Sequence, residues 1–257
     1  MIYLNSPQLE EIETELAISK YDKSFSFNTF FKTDIGSVRS SNQDALYVNE
    51  SQALWLVADG LGGHYQGGNA SAIVVDHVKS YRKLDSLSES AQDLAARFHL
   101  SNNKCRSMYA KKVVGSTVAT LFFYQSIALF LWVGHSRVYR LRDGVLSIMT
   151  DDHSLVQEQV RSGKISTDMA QRLPKSYILT RAVGIHQNLK LELRNARDQL
   201  GDRYLVCSDG LYRDLTHHEL QDFLAIQPIK SILAKIFKKA LERGGKDNIT
   251  GILVEVS

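Results

Sequence analysis

The chain reads as an α+β fold, two antiparallel sheets packed face to face with pairs of helices outside. Short apolar runs follow one another through tight connections, Tyr124-Gln125-Ser126 and Arg142-Asp143-Gly144, which only antiparallel neighbours can use. The helical spacings come in groups and do not alternate one for one with strands, as βαβ units would require. With 257 residues, 44% of them hydrophobic, the chain can bury one large core.

Residues 1–26 are polar and acidic (Glu10, Glu11, Glu13, Glu15), with one short helix near 8–18; they read as an N-terminal extension to a single domain over 27–257. Strands are expected at 27–33, 45–47 and 53–58. The spacing of Ala72, Val75 and Val78 predicts a helix over 69–81. A longer helix over 87–111 starts at a capping box, Ser86 with Glu89 three residues on. A strand meander follows at 117–123, 127–133, 138–141 and 146–149. Then come a helix at 154–162, a mixed segment at 163–177 and strands at 189–193 and 203–207. Two helices, 219–226 and 229–243, precede a last strand at 249–256.

The formal charge of +3 is spread along the chain, and Lys111-Lys112 and Lys238-Lys239 are ordinary solvated pairs, so no nucleic-acid groove is expected. No apolar run reaches the length of a membrane span. The first residues lack the basic start and apolar core of a secretion signal. Two cysteines make no disulfide framework: Cys207 lies inside an apolar strand as a buried thiol, and Cys105 on a helix. A reducing, cytoplasmic setting follows as the expectation.

The chemistry is expected at four carboxylates. Val57-Ala58-Asp59-Gly60 and Cys207-Ser208-Asp209-Gly210 each put an aspartate at the exit of an apolar strand. Asp247 stands in Gly-Gly-Lys-Asp-Asn before the last strand, and Asp44 closes Arg39-Ser40-Ser41-Asn42-Gln43-Asp44. Asp-Gly after a strand is also the commonest hairpin signal, but a hairpin needs a second strand at once. Here both Asp-Gly pairs lead into loops and then helices, where functional groups tend to be carried. Aspartates without a Cys/His cluster suit hard, oxygen-seeking cations such as magnesium or manganese.

Eight motifs in order then resemble one family, the metal-dependent protein serine/threonine phosphatases of type 2C in their compact bacterial form. They are TDIGSVRSSNQD (33–44), VADGLGGHYQGGNAS (57–71), GSTVATLFF (115–123), WVGHSRVYRLRDG (132–144), TDDHSLV (150–156), LTRAVG (179–184), LVCSDGLYRDLT (205–216) and GGKDNITGILV (244–254). The resemblance implies the four-layer αββα sandwich. It also implies a site for two Mn2+ or Mg2+ ions, with Asp59 bridging them and the Gly60 carbonyl on the first. Asp209 and Asp247 would hold the second, Asp44 would order metal-bound waters, and Arg39 would grip the substrate phosphate. Hydrolysis of phosphoserine and phosphothreonine by a hydroxide held between the ions would follow, with no nucleophilic side chain. Residues 163–177 match the family's mobile flap.

The chain departs from the family pattern at three points. Gln43 stands where many members carry Glu, which removes one negative charge. His135 replaces the Asp of Gly-Asp-Ser-Arg that helps hold a third ion, which implies a third site that is weak, altered or selective for manganese; packing at a strand end is the plain alternative. Leu61 directly follows Asp-Gly, where eukaryotic relatives have a histidine, so His64 is only a candidate acid for the leaving alkoxide. His217-His218 follow Thr216 and precede Glu219, and read as a helix start. His153 reads as structural. The expected partners are phosphorylated proteins and a cognate Ser/Thr kinase, with the chain a monomer; the stretch 207–215 is similar to members encoded with type VI secretion systems. A phosphatase fold that binds partners without turnover is the alternative function, and a small-phosphoester hydrolase of the same fold a third.

Overall fold

The strand Leu54–Leu61 shows how the layers arise, because every residue from Leu54 to Ala58 is buried. Side chains alternate across a strand. Leu54, Leu56 and Ala58 pack with helical residues such as Val74, Val78 and Phe98, whereas Trp55 and Val57 meet Tyr204, Val206, Ile252 and Val254. The sheet is therefore covered on one face by helices and on the other by a second sheet. This computed structural model describes residues 4–18, 25–63, 66–109, 112–166, 169 and 178–257.

The strands, in chain order, are β1 (Phe27–Asp34), β2 (Asp44–Asn49), β3 (Leu54–Leu61), β4 (Gly115–Ser116), β5 (Val118–Tyr124), β6 (Ile127–Val133), β7 (Arg137–Arg142), β8 (Val145–Ile148), β9 (Glu192–Arg197), β10 (Arg203–Cys207) and β11 (Ile249–Val256). One sheet runs β1-β11-β10-β7-β8. The other runs β2-β3-β5-β6-β9, with β4 added on β3. All the pairings are antiparallel.

The helices α1 (Ser6–Ile18), α2 (Gln66–Val78) and α3 (Leu87–Met108) cover the second sheet. A helix α4 (Leu155–Arg161) follows β8, with the Ser154 hydroxyl capping it. The one-turn α5 (Asp209–Tyr212), α6 (His217–Leu224) and α7 (Ile232–Glu242) cover the first sheet through Leu211, Leu220, Leu224, Ile236 and Phe237. The four-layer αββα order expected from the sequence is present.

Several boundaries differ, for physical reasons. β3 runs on through Asp59 and Gly60 to Leu61, because β2 pairs with Asp59 and β4 with the last two residues; Asp59 is thus in the strand and not at its exit. α2 begins at Gln66, three residues early, on glycines that do not read as helical. A Cβ on Gly60 would lie 2.1 Å from the Gly67 carbonyl, so strand and helix approach as only glycine allows. β9 begins at Glu192 because its register is set by β6, from Trp132↔Glu192 to Ile127↔Arg197. The 229–243 helix divides into a 3-10 turn, Ile229–Ser231, and α7. The N-terminal helix is no loose appendage: Leu4, Leu9 and Ile12 are buried in the α2–α3 layer. Most of the expected flap, 167–168 and 170–177, lies outside the described residues.

Candidate active site

The starts of β2 and α5, the end of β3 and the residues before β11 meet at one end of the sandwich. Antiparallel register sets Asp44 of β2 directly across from Asp59 of β3. β10 delivers Asp209 as the first residue of α5, and Asp247 stands two positions before β11. Arg39 comes from the β1–β2 loop and His135 from the β6–β7 turn. Arg39, Gln43, Asp59, Gly60, His135, Asp209, Arg213 and Asp247 line a cleft of about 250 Å³.

His135 is placed among carboxylates and not merely packed. Its Nδ1 lies 3.9 Å from Asp59 Oδ2 and its Nε2 3.6 Å from Asp209 Oδ2. Donor atoms of Asp59, His135 and Asp209 all fall within 4.8 Å of one another, the one such group among the described residues. Asp44 and Asp247 stand outside that triad. Asp44 accepts a hydrogen bond from Ser208 Oγ at 2.8 Å. Asp247 receives both arms of Arg39, Nε to Oδ1 and Nη2 to Oδ2, each at 2.8 Å. The ion pair that a surface arginine would make and the fork that a phosphate would need are thus the same side chain. His64 lies outside the described residues.

The frame is held by groups the sequence reading passed over. The Asp59 amide donates to Thr117 Oγ1 at 3.0 Å, and that hydroxyl pairs with Ser136 Oγ at 2.6 Å. Asn248 donates through Nδ2 to the carbonyls of Ile35 and Ser41 and accepts from the Gln43 amide. That side chain ties the Arg39 loop to the Asp247 segment. Arg213 was also missed: it donates through Nη2 to Asp209 Oδ2, and Nη1 lies 3.5 Å from Asp247 Oδ2. Its four-residue spacing from Asp209, one helical turn, was the available signal.

Burial and neighbouring charge act together on the cluster. Desolvation, reinforced by Asp44, Asp209 and Asp247, holds the Asp59 carboxyl well above its ordinary value. Desolvation pushes Asp44 up to about 7 despite hydrogen bonds from Thr250 and Ser208. At Asp247 burial pulls upward too, but the Arg39 fork outweighs it and the carboxyl is lowered. Carboxylates forced toward protonation by one another take a divalent cation instead. The buried His135 Nδ1 has no hydrogen-bond partner and faces this group, so the donor set, two carboxylates and an imidazole nitrogen, fits such an ion.

His217, His218 and His153 behave as ordinary structure. Thr216 and Glu219 form a reciprocal capping box at the start of α6, with His217-His218 as its first residues. His153 stacks on Trp132, accepts from the Gly134 amide at 3.1 Å and lies 3.0 Å from Glu192.

Comparison with known proteins agrees with this geometry. The serine/threonine phosphatase stp of Listeria monocytogenes is 34% identical over 237 residues, 88% of this chain and 94% of its own length. PppA, described as a key regulatory component of the type VI secretion system in Pseudomonas aeruginosa, superposes with a TM-score of 0.82 at 32% identity, covering 90% of this chain and 98% of its own. The catalytic domain of the phosphatase PstP, solved in complex with two manganese ions, superposes with a TM-score of 0.80 at 27% identity over 91% of this chain and 99% of its own. The protein phosphatase 2C model matches residues 37–254, from the arginine loop to the end of the last strand. This chain belongs to the protein phosphatase 2C family.

Proposed function

We propose that the chain is a metal-dependent phosphatase that hydrolyses phosphoserine and phosphothreonine in proteins, with manganese or magnesium as cofactor. The observation that carries this reading is the convergence of Asp59, His135 and Asp209 within 4.8 Å, beside a cleft that also holds two arginines. Bound divalent ions supply Lewis-acid charge at phosphate oxygens and a water acidic enough to attack phosphorus near neutral pH.

The protein's own part is placement. Asp59 and the Gly60 carbonyl beside it would serve as ligands to the ions, and Asp209 and Asp247 would supply further carboxylate oxygens. Asp44, anchored by Ser208, orders water around them. Arg39 is 55% exposed, so its fork can turn from Asp247 to a substrate phosphate, whose oxygens match the same pair of donors. Held there, the ester is aligned for in-line displacement: an oxygen–phosphorus bond forms, the phosphorus–alkoxide bond breaks, and the serine or threonine oxygen leaves with a proton. Positioning and charge neutralisation lower the barrier, and no covalent intermediate on the protein is required.

The substrates of such an enzyme are made by phosphoryl transfer to serine and threonine hydroxyls, so a protein kinase is its functional opposite, in the cytoplasm where nucleoside triphosphate is abundant. Likeness to PppA supports a role in regulating a type VI secretion system.

The test is phosphate release from a phosphothreonine peptide with manganese, magnesium or a chelator, for wild type and Asp209→Asn. Metal-dependent turnover that disappears in the variant supports the reading. A folded, metal-loaded wild type without turnover overturns it in favour of a binding module.

A further inference from the structure

Asp209 carries its carboxylate between two basic side chains of its own chain. Arg213 donates through Nη2 to Asp209 Oδ2, and His135 Nε2 lies 3.6 Å from the same oxygen. The other arm of Arg213, Nη1, reaches to 3.5 Å from Asp247 Oδ2, the oxygen that Arg39 Nη2 grips from its side. Two guanidinium groups thus share the carboxylate edge formed by Asp209 and Asp247.

Their surroundings distinguish them. The Arg39 side chain is 55% exposed on a loop. Arg213 is 25% exposed, and the Asp209 side chain it meets is 3% exposed. The Arg213 amide is bonded to the Asp209 carbonyl at 2.8 Å, so the residue closes the turn that Asp209 opens. Tyr212, its neighbour, donates its hydroxyl to the His135 carbonyl at 2.8 Å. The turn carrying Arg213 and the turn carrying His135 are therefore fastened together. A guanidinium does not lose its proton in a protein, so Arg213 is a permanent positive charge enclosed among the carboxylates, whereas Arg39 stands on an exposed loop.

We propose that Arg213 is a resident cation of the metal centre: it neutralises the Asp209–Asp247 edge and withholds that edge from a further divalent ion. The inference rests on the metal-dependent reading above. A guanidinium and a metal ion competing for one carboxylate oxygen exclude each other through charge repulsion and volume. Arg213 therefore acts with opposite signs in two conditions. In chelator it stabilises the fold by offsetting repulsion between Asp209, Asp247 and Asp59. In divalent metal it limits how many ions bind, or how tightly.

Manganese binding to chelator-stripped protein tests this, by calorimetric titration together with electron paramagnetic resonance counting of bound Mn2+. Wild type is compared with Arg213→Met, which keeps an apolar stem and loses the charge, and with Arg213→Asp and Arg213→Lys. The expected result for Arg213→Met is at least fivefold tighter Mn2+ binding. For Arg213→Asp it is one additional Mn2+ per chain. Both variants should melt below wild type in chelator and show a larger rise in melting temperature on adding Mn2+; Arg213→Lys should stay close to wild type. Should Arg213→Asp fail to fold, Arg213→Met carries the measurement alone. Unchanged stoichiometry with affinity within twofold of wild type in the folded variants would overturn the proposal. None of these readings uses turnover. A wild type that binds Mn2+ but releases no phosphate overturns the proposed function and not the role of Arg213, while a chain that binds no Mn2+ overturns both.

Discussion

Asp44 and Asp59 face each other across the β2–β3 pair, two carboxylates in direct antiparallel register. Like charges opposite one another destabilise a sheet, so this pairing works against the fold and for the site. Replacing Asp44 with Asn keeps the shape and a hydrogen-bond acceptor for Ser208 while removing one charge. The expected outcome is a gain of about 0.5–1 kcal/mol in chelator and a loss of roughly 10–100-fold in metal affinity or activity, as for outer-shell partners of metals. Urea unfolding in chelator and Mn2+ titration of phosphate release measure the two halves. A variant that loses stability without losing activity would contradict this account of the pair.

The same pair predicts a pH dependence that divalent metal abolishes. Asp44 titrates at about 7 in the folded chain against an ordinary value of 3.8, and Asp59 is also raised. Between those values the folded chain holds protons that the unfolded chain has released, so stability falls as pH rises through that window. In chelator the melting temperature should therefore fall from pH 5 to pH 7.5, and saturating Mn2+ should flatten the slope. Asp198, buried beside Asp202 and raised to about 8, acts in the same direction far from the cleft. An Asp198→Asn background removes that contribution and leaves the part belonging to the site.

At position 135 the prediction concerns which metal works. Imidazole nitrogen favours manganese over magnesium, which prefers all-oxygen surroundings. His135→Asp should raise activity in magnesium relative to manganese by roughly tenfold, the scale of a ligand-tuning change. Titrations of activity with each metal, wild type beside variant, decide the matter. Superimposable curves would return His135 to a packing role.

Helix α1 offers a prediction about stability alone. Leu9 is 1% exposed and packs in the layer with α2 and α3, so Leu9→Ala should cost about 2–4 kcal/mol. Metal affinity should be unchanged, because the helix lies on the sheet's outer face, away from the cleft. A cost below about 0.5 kcal/mol, the range of ordinary surface substitutions, would show residues 1–26 to be the separable extension that their composition suggests.

Much of this architecture was legible because short apolar runs with tight turns leave few antiparallel arrangements, and because the family motifs carry the aspartates. The layers of the sandwich follow from that pattern, and so do the helix starts at Ser86 and Thr216, whose caps are local chemistry. The contributions of long-range pairing were not legible. β3 runs past Asp59 only because Gly115 and Ser116, more than fifty positions later, pair with Leu61 and Gly60. The helix over Gln66–Val78 starts on glycines that read as loop until Gly60 is seen against them. Arg213 lies within a family motif that assigns it no role, and its meaning lies in two carboxylates, one of them 34 positions away, that only the fold brings to it. The N-terminal helix was expected, but its packing was not legible because its apolar residues are few, although each of Leu4, Leu9 and Ile12 is buried.

The place of β11 in the chain sets when the enzyme can first work. It is the last strand in order, yet it lies inside its sheet between β1 and β10, and Asp247 sits just ahead of it. During synthesis the arginine loop and three of the four aspartates leave the ribosome well before this strand does. None of them can be assembled into a cleft until it slots between two strands already made. Activity therefore waits on the synthesis of β11, and a ribosome stalled before residue 247 carries a chain whose cleft is incomplete.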